Sequence, residues 1–125
     1  MIERLDPVGS PTPTVPLAPG TKAGGFVFVS GQTATTDDGR VYVGDFAREV
    51  TSALDNVEAV LHAGGASWEN VVRVGAYLSN ATLFAAFNEI YAARIGAARP
   101  ARTTVALAFG HPDVRVEIDA IAYLG

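Results

Sequence analysis

Cysteine is absent from the 125-residue chain, which removes disulfides, thiolate nucleophiles and cysteine-based metal sites from consideration. Histidine is nearly absent too: His62 and His111 lie far apart in the sequence, and no dedicated transition-metal site is expected from them. Chemistry without metal or cofactor is the default expectation. Charge is sparse, at 18% of residues, with a net −4 and nine Lys and Arg residues scattered rather than clustered. That distribution lacks the electrostatic footprint for a phosphate backbone, so nucleic acid is not an expected partner. Long apolar runs are missing as well. No span approaches the roughly 18 residues that mark a membrane-crossing helix, and the opening MIERLDP is charged where a secretion signal would be apolar. A cytoplasmic location, away from the membrane, is the expectation.

What the chain has in quantity is apolar residues, 49% of the total, in a length that suits one domain, residues 1–125, around a single core. Five of its seven prolines fall in residues 7–19, PVGSPTPTVPLAP, an extended loop that cannot donate ladder hydrogen bonds at those positions. Phe26–Val29 then reads as a buried strand closed by Ser30-Gly31, and Asp37-Asp38-Gly39 as a hairpin turn into Val41–Val43. From Asp45, a candidate N-cap, the period changes. Phe46, Val50, Ala53-Leu54, Val57 and Val60-Leu61 recur at helical spacing until Gly64-Gly65. Val71–Leu78 is a third strand, and a second helix runs from about Ala81 to Ile95, capped by Asn80 or Thr82 and ended by Gly96. Arg102–Phe109 and Val114–Tyr123 form a closing hairpin through residues 110–113. The order β-β-α-β-α-β-β predicts an α+β fold: one mixed sheet with two amphipathic helices on one face. The other face, apolar at half its positions, is costly to leave in water, and oligomerisation is the natural remedy.

Alternation sorts the side chains of the last two strands by face. Arg102 and Thr104 share one side of the first, and Glu117 and Asp119 share one side of the second. Arg102, at the head of a strand, offers a planar fork for a carboxylate, with the Thr104 hydroxyl two residues on; charge-assisted bonds of this kind contribute roughly 1.5–3 kcal/mol each. The competing reading is a solvated surface arginine worth about 0–1 kcal/mol. Glu117 sits in an apolar strand, where burial raises a carboxylate towards the range useful for proton transfer; its competing reading is a polar residue on a wet face. In the hairpin register Arg102 and Glu117 are roughly 13 Å apart, at about 3.3 Å per residue. They meet only through a ligand or across chains. Ser30 beside Gly31 is either a ligand donor or a turn serine, and Asn88 either a pocket amide or an ordinary helix-surface residue. His62 and His111 read as a helix-end and a turn residue. No Ser-His-Asp set, phosphate loop or metal motif can be assembled.

Taken together, Phe28-Val29-Ser30-Gly31-Gln32, Ala59–Ala66, Phe87-Asn88-Glu89-Ile90-Tyr91, Pro100-Ala101-Arg102-Thr103-Thr104-Val105 and Val116–Ala122 resemble, in order and spacing, the RidA (reactive-intermediate deaminase, YjgF-like) family. The resemblance covers residue 15 to the end, and Pro-Ala-Arg-Thr-Thr with Val-Glu-Ile-Asp-Ala-Ile-Ala is its specific part. It implies a chorismate-mutase-like α+β protomer, a homotrimer, and clefts between subunits that take a small imine or enamine, or a keto acid. Arg102 resembles the family arginine that grips a 2-iminoacid or 2-aminoacrylate carboxylate, and Glu117 the acid that manages the hydrolytic water. Ser30, Asn88 and Thr104 resemble other pocket positions. The implied reaction is hydrolysis to a 2-keto acid and ammonia, with no metal or cofactor. One departure stands out. Deaminating members often carry Gly-Pro-Tyr-Ser-Gln-Ala in the first loop, whereas counting back from Ser30 gives Val15–Gly20, so Leu17 replaces the tyrosine and implies an altered substrate preference. A non-catalytic carboxylate-binding or regulatory member is the alternative, and a purely structural trimer a third.

Overall fold

The computed structural model describes all residues, 1–125. Six strands form one sheet: β1 Ile2–Leu5, β2 Gly20–Ala23, β3 Phe26–Thr33, β4 Val71–Leu78, β5 Ala101–Ala106 and β6 Val116–Tyr123. Their spatial order is β1-β2-β3-β6-β4-β5. Two helices, α1 Phe46–Ala63 and α2 Phe84–Ile95, complete the α+β arrangement.

Helix α1 begins where expected, because the Asp45 carboxylate accepts the Ala47 N–H, and it ends where the Gly64 N–H returns to the Val60 and Leu61 carbonyls. Its apolar stripe, Val50 through Leu61, is buried against Val27 and Val29 of β3 and Val116, Ile118, Ala120 and Ala122 of β6. Fully burying side chains of this size contributes about 1.5–3 kcal/mol each before entropy is set against it. The second helix starts later than its periodicity suggests. Asn80 caps a 3₁₀ turn, Ala81–Leu83, by accepting the Thr82 N–H, and α2 follows from Phe84. The one buried charge, Glu49, is met by Arg115, which also donates to the Gly44 carbonyl at 2.7 Å, so the start of β6 is tied to α1.

Three strand expectations need correction. Val41–Val43 forms no strand, only an isolated bridge from Val41 to Thr35. The partner of β3 on that side is β2, joined to it through Gly24-Gly25, and β1 pairs outside β2. The closing strands, shorter than expected at Ala101–Ala106 and Val116–Tyr123, are not a hairpin: β4 lies between them, parallel to β5 and antiparallel to β6. A strand buried at every second position on a central row needs neighbours on both sides, and β6 finds them in β3 and β4.

The helices cover one face. On the other, Phe26 pairs with Tyr123 and Phe28 with Ile121; Phe26, Phe28 and Tyr123 remain 42%, 40% and 47% exposed, with the Phe26 and Tyr123 ring centroids 4.9 Å apart. No helix is long and apolar enough to cross a membrane.

Candidate functional site

The sequence-predicted residues gather into two groups. The first surrounds Glu117. Between Val29 and Gln32 the β3–β6 register shifts, which frees Ser30 and Gly31 from the ladder. Ser30 uses that freedom to hold the proline-rich segment: its hydroxyl donates to the Ala18 carbonyl at 2.7 Å and its N–H to the Pro19 carbonyl at 2.9 Å. Ser30 is thereby an anchor of the loop that carries Leu17. Gly31 leaves the space that the Glu117 carboxyl occupies, and a Cβ there would collide with it. Loop, bulge and strand enclose an open cavity of about 730 Å³, lined among others by Leu17, Gln32, Asn56, Phe109, His111 and Glu117.

Several polar side chains in this wall are engaged with one another or with the backbone. The Asn56 amide donates to the Thr33 carbonyl and the Thr35 hydroxyl, both at 2.9 Å, and the Gln32 amide to the Ser30 carbonyl at 3.1 Å. His111 accepts the Asp113 N–H on Nδ1 at 3.1 Å, which leaves Nε2 for the proton of the neutral ring. Glu117 is the one carboxyl in this wall, and it has no hydrogen-bond partner. Burial, and after it the nearby Asp119 charge, pushes its carboxyl above the usual carboxylate range, and no hydrogen bond counters that rise.

The second group lies across the sheet, under α2. An Arg102 Nη2 donates to Asn88 Oδ1 at 2.6 Å, and the guanidinium carbon stands 4.7, 5.4 and 5.9 Å from the ring centres of Tyr91, Phe87 and Phe84. Arg102 takes part in none of the ion pairs of the chain. The planar fork is thus held by aromatic walls and a neutral amide, and keeps donors free for an external anion. Thr104, on the same side of β5, has a buried hydroxyl without a partner, as does Tyr91, whose phenol is pushed up by burial.

These two groups do not meet within one protomer. Arg102 stands opposite Val74 and Glu117 opposite Tyr77, on either side of β4. Two strand spacings of about 4.8 Å and three residues of about 3.3 Å put their backbones about 14 Å apart. Their side chains also leave opposite faces of the sheet, since Val74 belongs to the core face and Tyr77 to the open one. The arginine and carboxylate of one chain cannot grip the same small molecule. Gly31, the aromatic walls of Arg102, and the Asp119–Tyr77 contact at 2.8 Å escape sequence reasoning. For Asp119 the signal was present in its alternation with Glu117; the strand facing it was not. No group of three or more His, Asp or Glu side chains is gathered where it could hold a metal ion.

A family profile described as Endoribonuclease L-PSP matches residues 8–124. A RutC family protein of Pyrococcus horikoshii is 37% identical over 115 residues, 91% of each chain. Among solved structures, yeast Mmf1 superposes with a TM-score of 0.93 at 28% identity, over 100% of both chains. TdcF of E. coli, solved with bound serine, superposes at 0.88 with 28% identity, over 98% of this chain and 99% of that one. The two-helix, mixed-sheet protomer expected from the motifs is the one these relatives share.

Proposed function

Because the chain belongs to the Endoribonuclease L-PSP family, the YjgF/RidA family that its motifs resemble, we propose that it hydrolyses imines or enamines of the 2-iminoacid and 2-aminoacrylate type to 2-keto acids and ammonia. The observation that carries this reading is Glu117: a desolvated carboxyl without a donor, given room by Gly31 and lining the cavity. A carboxyl raised by burial in this way is a candidate to give and take protons in the reaction. Arg102, held by Asn88 and free of acidic partners, supplies the fork that binds and orients the substrate carboxylate. Thr104 adds a hydroxyl beside it, and Ser30 keeps the Leu17 loop in place.

Since the two groups leave opposite faces of one sheet, this reading takes the arginine of the working site from one subunit and its carboxyl from the next, in a homotrimer. Leu17 puts an apolar side chain where deaminating relatives have tyrosine, and shifts preference from the smallest imines to larger, less polar ones.

A second reading, capture of a small carboxylate without turnover, draws support from the missing tyrosine hydroxyl and from the serine bound in TdcF. Release of ammonia and keto acid from imines made in situ by an amino-acid oxidase decides between them. Wild type accelerates release and Arg102→Ala loses about a hundredfold or more in kcat/KM, the loss expected for one bidentate charged contact. Equal rates for the two proteins would remove the clamp assignment, and binding without acceleration on any imine would favour capture.

A further inference from the structure

Glu117 shares its face of β6 with a second carboxylate. Asp119 follows two residues on, about 7 Å along the strand at about 3.3 Å per residue, and the two meet opposite surroundings. Asp119 is pinned to β4: Oδ2 accepts the Tyr77 hydroxyl at 2.8 Å and Oδ1 the Gly75 N–H at 3.0 Å. The space for this exists because Gly75 has no side chain; a Cβ there would run into the Asp119 carboxyl and approach Tyr77 Oη to 2.7 Å. Glu117, half-buried beside the cavity, has no donor at all.

Hydrogen bonds to a carboxylate favour its charged form, and desolvation favours the neutral one. A fixed negative charge nearby also disfavours ionisation of a second carboxyl. We propose that Asp119 is a positioning residue for the reaction: an anion fixed by Tyr77 and Gly75 that keeps the proton on Glu117, so that Glu117 enters the reaction as an acid. The other groups around Glu117 do not override this. On β4, the Arg73 cation reaches away from β6, to the Thr103 hydroxyl of β5 at 3.3 Å, and the Tyr77 phenol is held protonated by its bond to Asp119. His111 lines the cavity from the 107–115 connection, and β3, α1 and the proline-rich segment contribute uncharged residues there. The raised position of Glu117, caused by burial first and Asp119 second, agrees with the geometry.

The inference rests on the imine-hydrolase reading and orders its proton transfers. Protonated Glu117 gives its proton to the imine nitrogen. The resulting carboxylate takes a proton from water as the water oxygen bonds to the carbon, which yields the carbinolamine and restores the acid. Glu117 then protonates the amine, the C–N bond breaks to release ammonia, and the carboxylate recovers the hydroxyl proton as the C=O forms. One imine and one water become one ketone and one ammonia.

Carboxyl-detected NMR titration of Glu117 tests the assignment without any substrate, so it stands even if the hydrolase reading falls. In wild type the Glu117 midpoint lies clearly above the ordinary value of about 4.3. Asp119→Asn lowers it by about one pH unit, as expected for a charge about 7 Å away in a partly wet site; Asp119→Glu, which keeps the charge, restores it. The alkaline limb of kcat/KM moves down by the same amount in Asp119→Asn. A wild-type midpoint at or below 4.3, or equal midpoints in wild type and Asp119→Asn, would overturn the proposal, and so would a shift of the same size in Asp119→Glu.

Discussion

Gly31 makes a sharp test at the scale of one residue. Its backbone is not in the left-handed region, so alanine is allowed there, and what an added Cβ meets is the flexible end of Glu117. The carboxyl swings aside more cheaply than the strand does. Gly31→Ala is therefore expected to change stability by less than about 1 kcal/mol, the usual range for a substitution that breaks no packed contact, while activity falls at least about tenfold as the acid leaves its place. Melting curves and ammonia release on the same preparation check this; full activity with a lowered melting temperature would contradict it. Single residues were legible in the sequence where a local rule governed them. Alternation alone puts Arg102 beside Thr104 and Glu117 beside Asp119. That Leu17 and Glu117 line one cavity followed from the family resemblance and from no local pattern, because it depends on a register shift and on Ser30 reaching back twelve residues to Ala18.

At the scale of elements, α1 and α2 are clamped on their outer sides. Arg94 of α2 reaches Asp55 at 2.7 Å and Glu58 at 2.5 Å, and the Trp68 indole donates to the same Glu58 carboxylate at 3.3 Å. The Arg94 bond, more than any other contact, holds Glu58 below the usual carboxylate range. A carboxyl with a depressed folded-state value stabilises above its unfolded value and loses that contribution as pH falls through the folded one. Arg94→Ala is expected to cost about 1 kcal/mol at neutral pH and little in strong acid, read from urea midpoints at both pH values; the same cost at both would discount the clamp. The helices were readable because 3.6-residue periodicity and an aspartate cap are local signals. The edges of the sheet were not. β1 and β2 have four residues each around a proline-rich loop, with no alternation long enough to register. Neighbouring strands in sequence suggested a hairpin, whereas the crossover through α2 makes β5 a parallel edge and leaves the centre to β6. That one misreading of topology also hid the partners of Asp119.

For the whole molecule, an apolar face bearing Phe26, Phe28 and Tyr123 is the kind of surface that marks a protein–protein contact, and the apolar alternation of the strands made that open face legible in the sequence. The separation of Arg102 and Glu117 onto opposite faces has a consequence for mixtures. Arg102→Ala and Glu117→Gln, each expected to be inactive alone, retain what the other lacks. Unfolded together in equal amounts and refolded, they draw subunits at random, and in a ring of head-to-tail contacts about a quarter of the junctions join an intact arginine to an intact carboxyl. The hybrid should recover about a quarter of the wild-type rate from two dead parents, and a silent mixture would return both residues to a single chain.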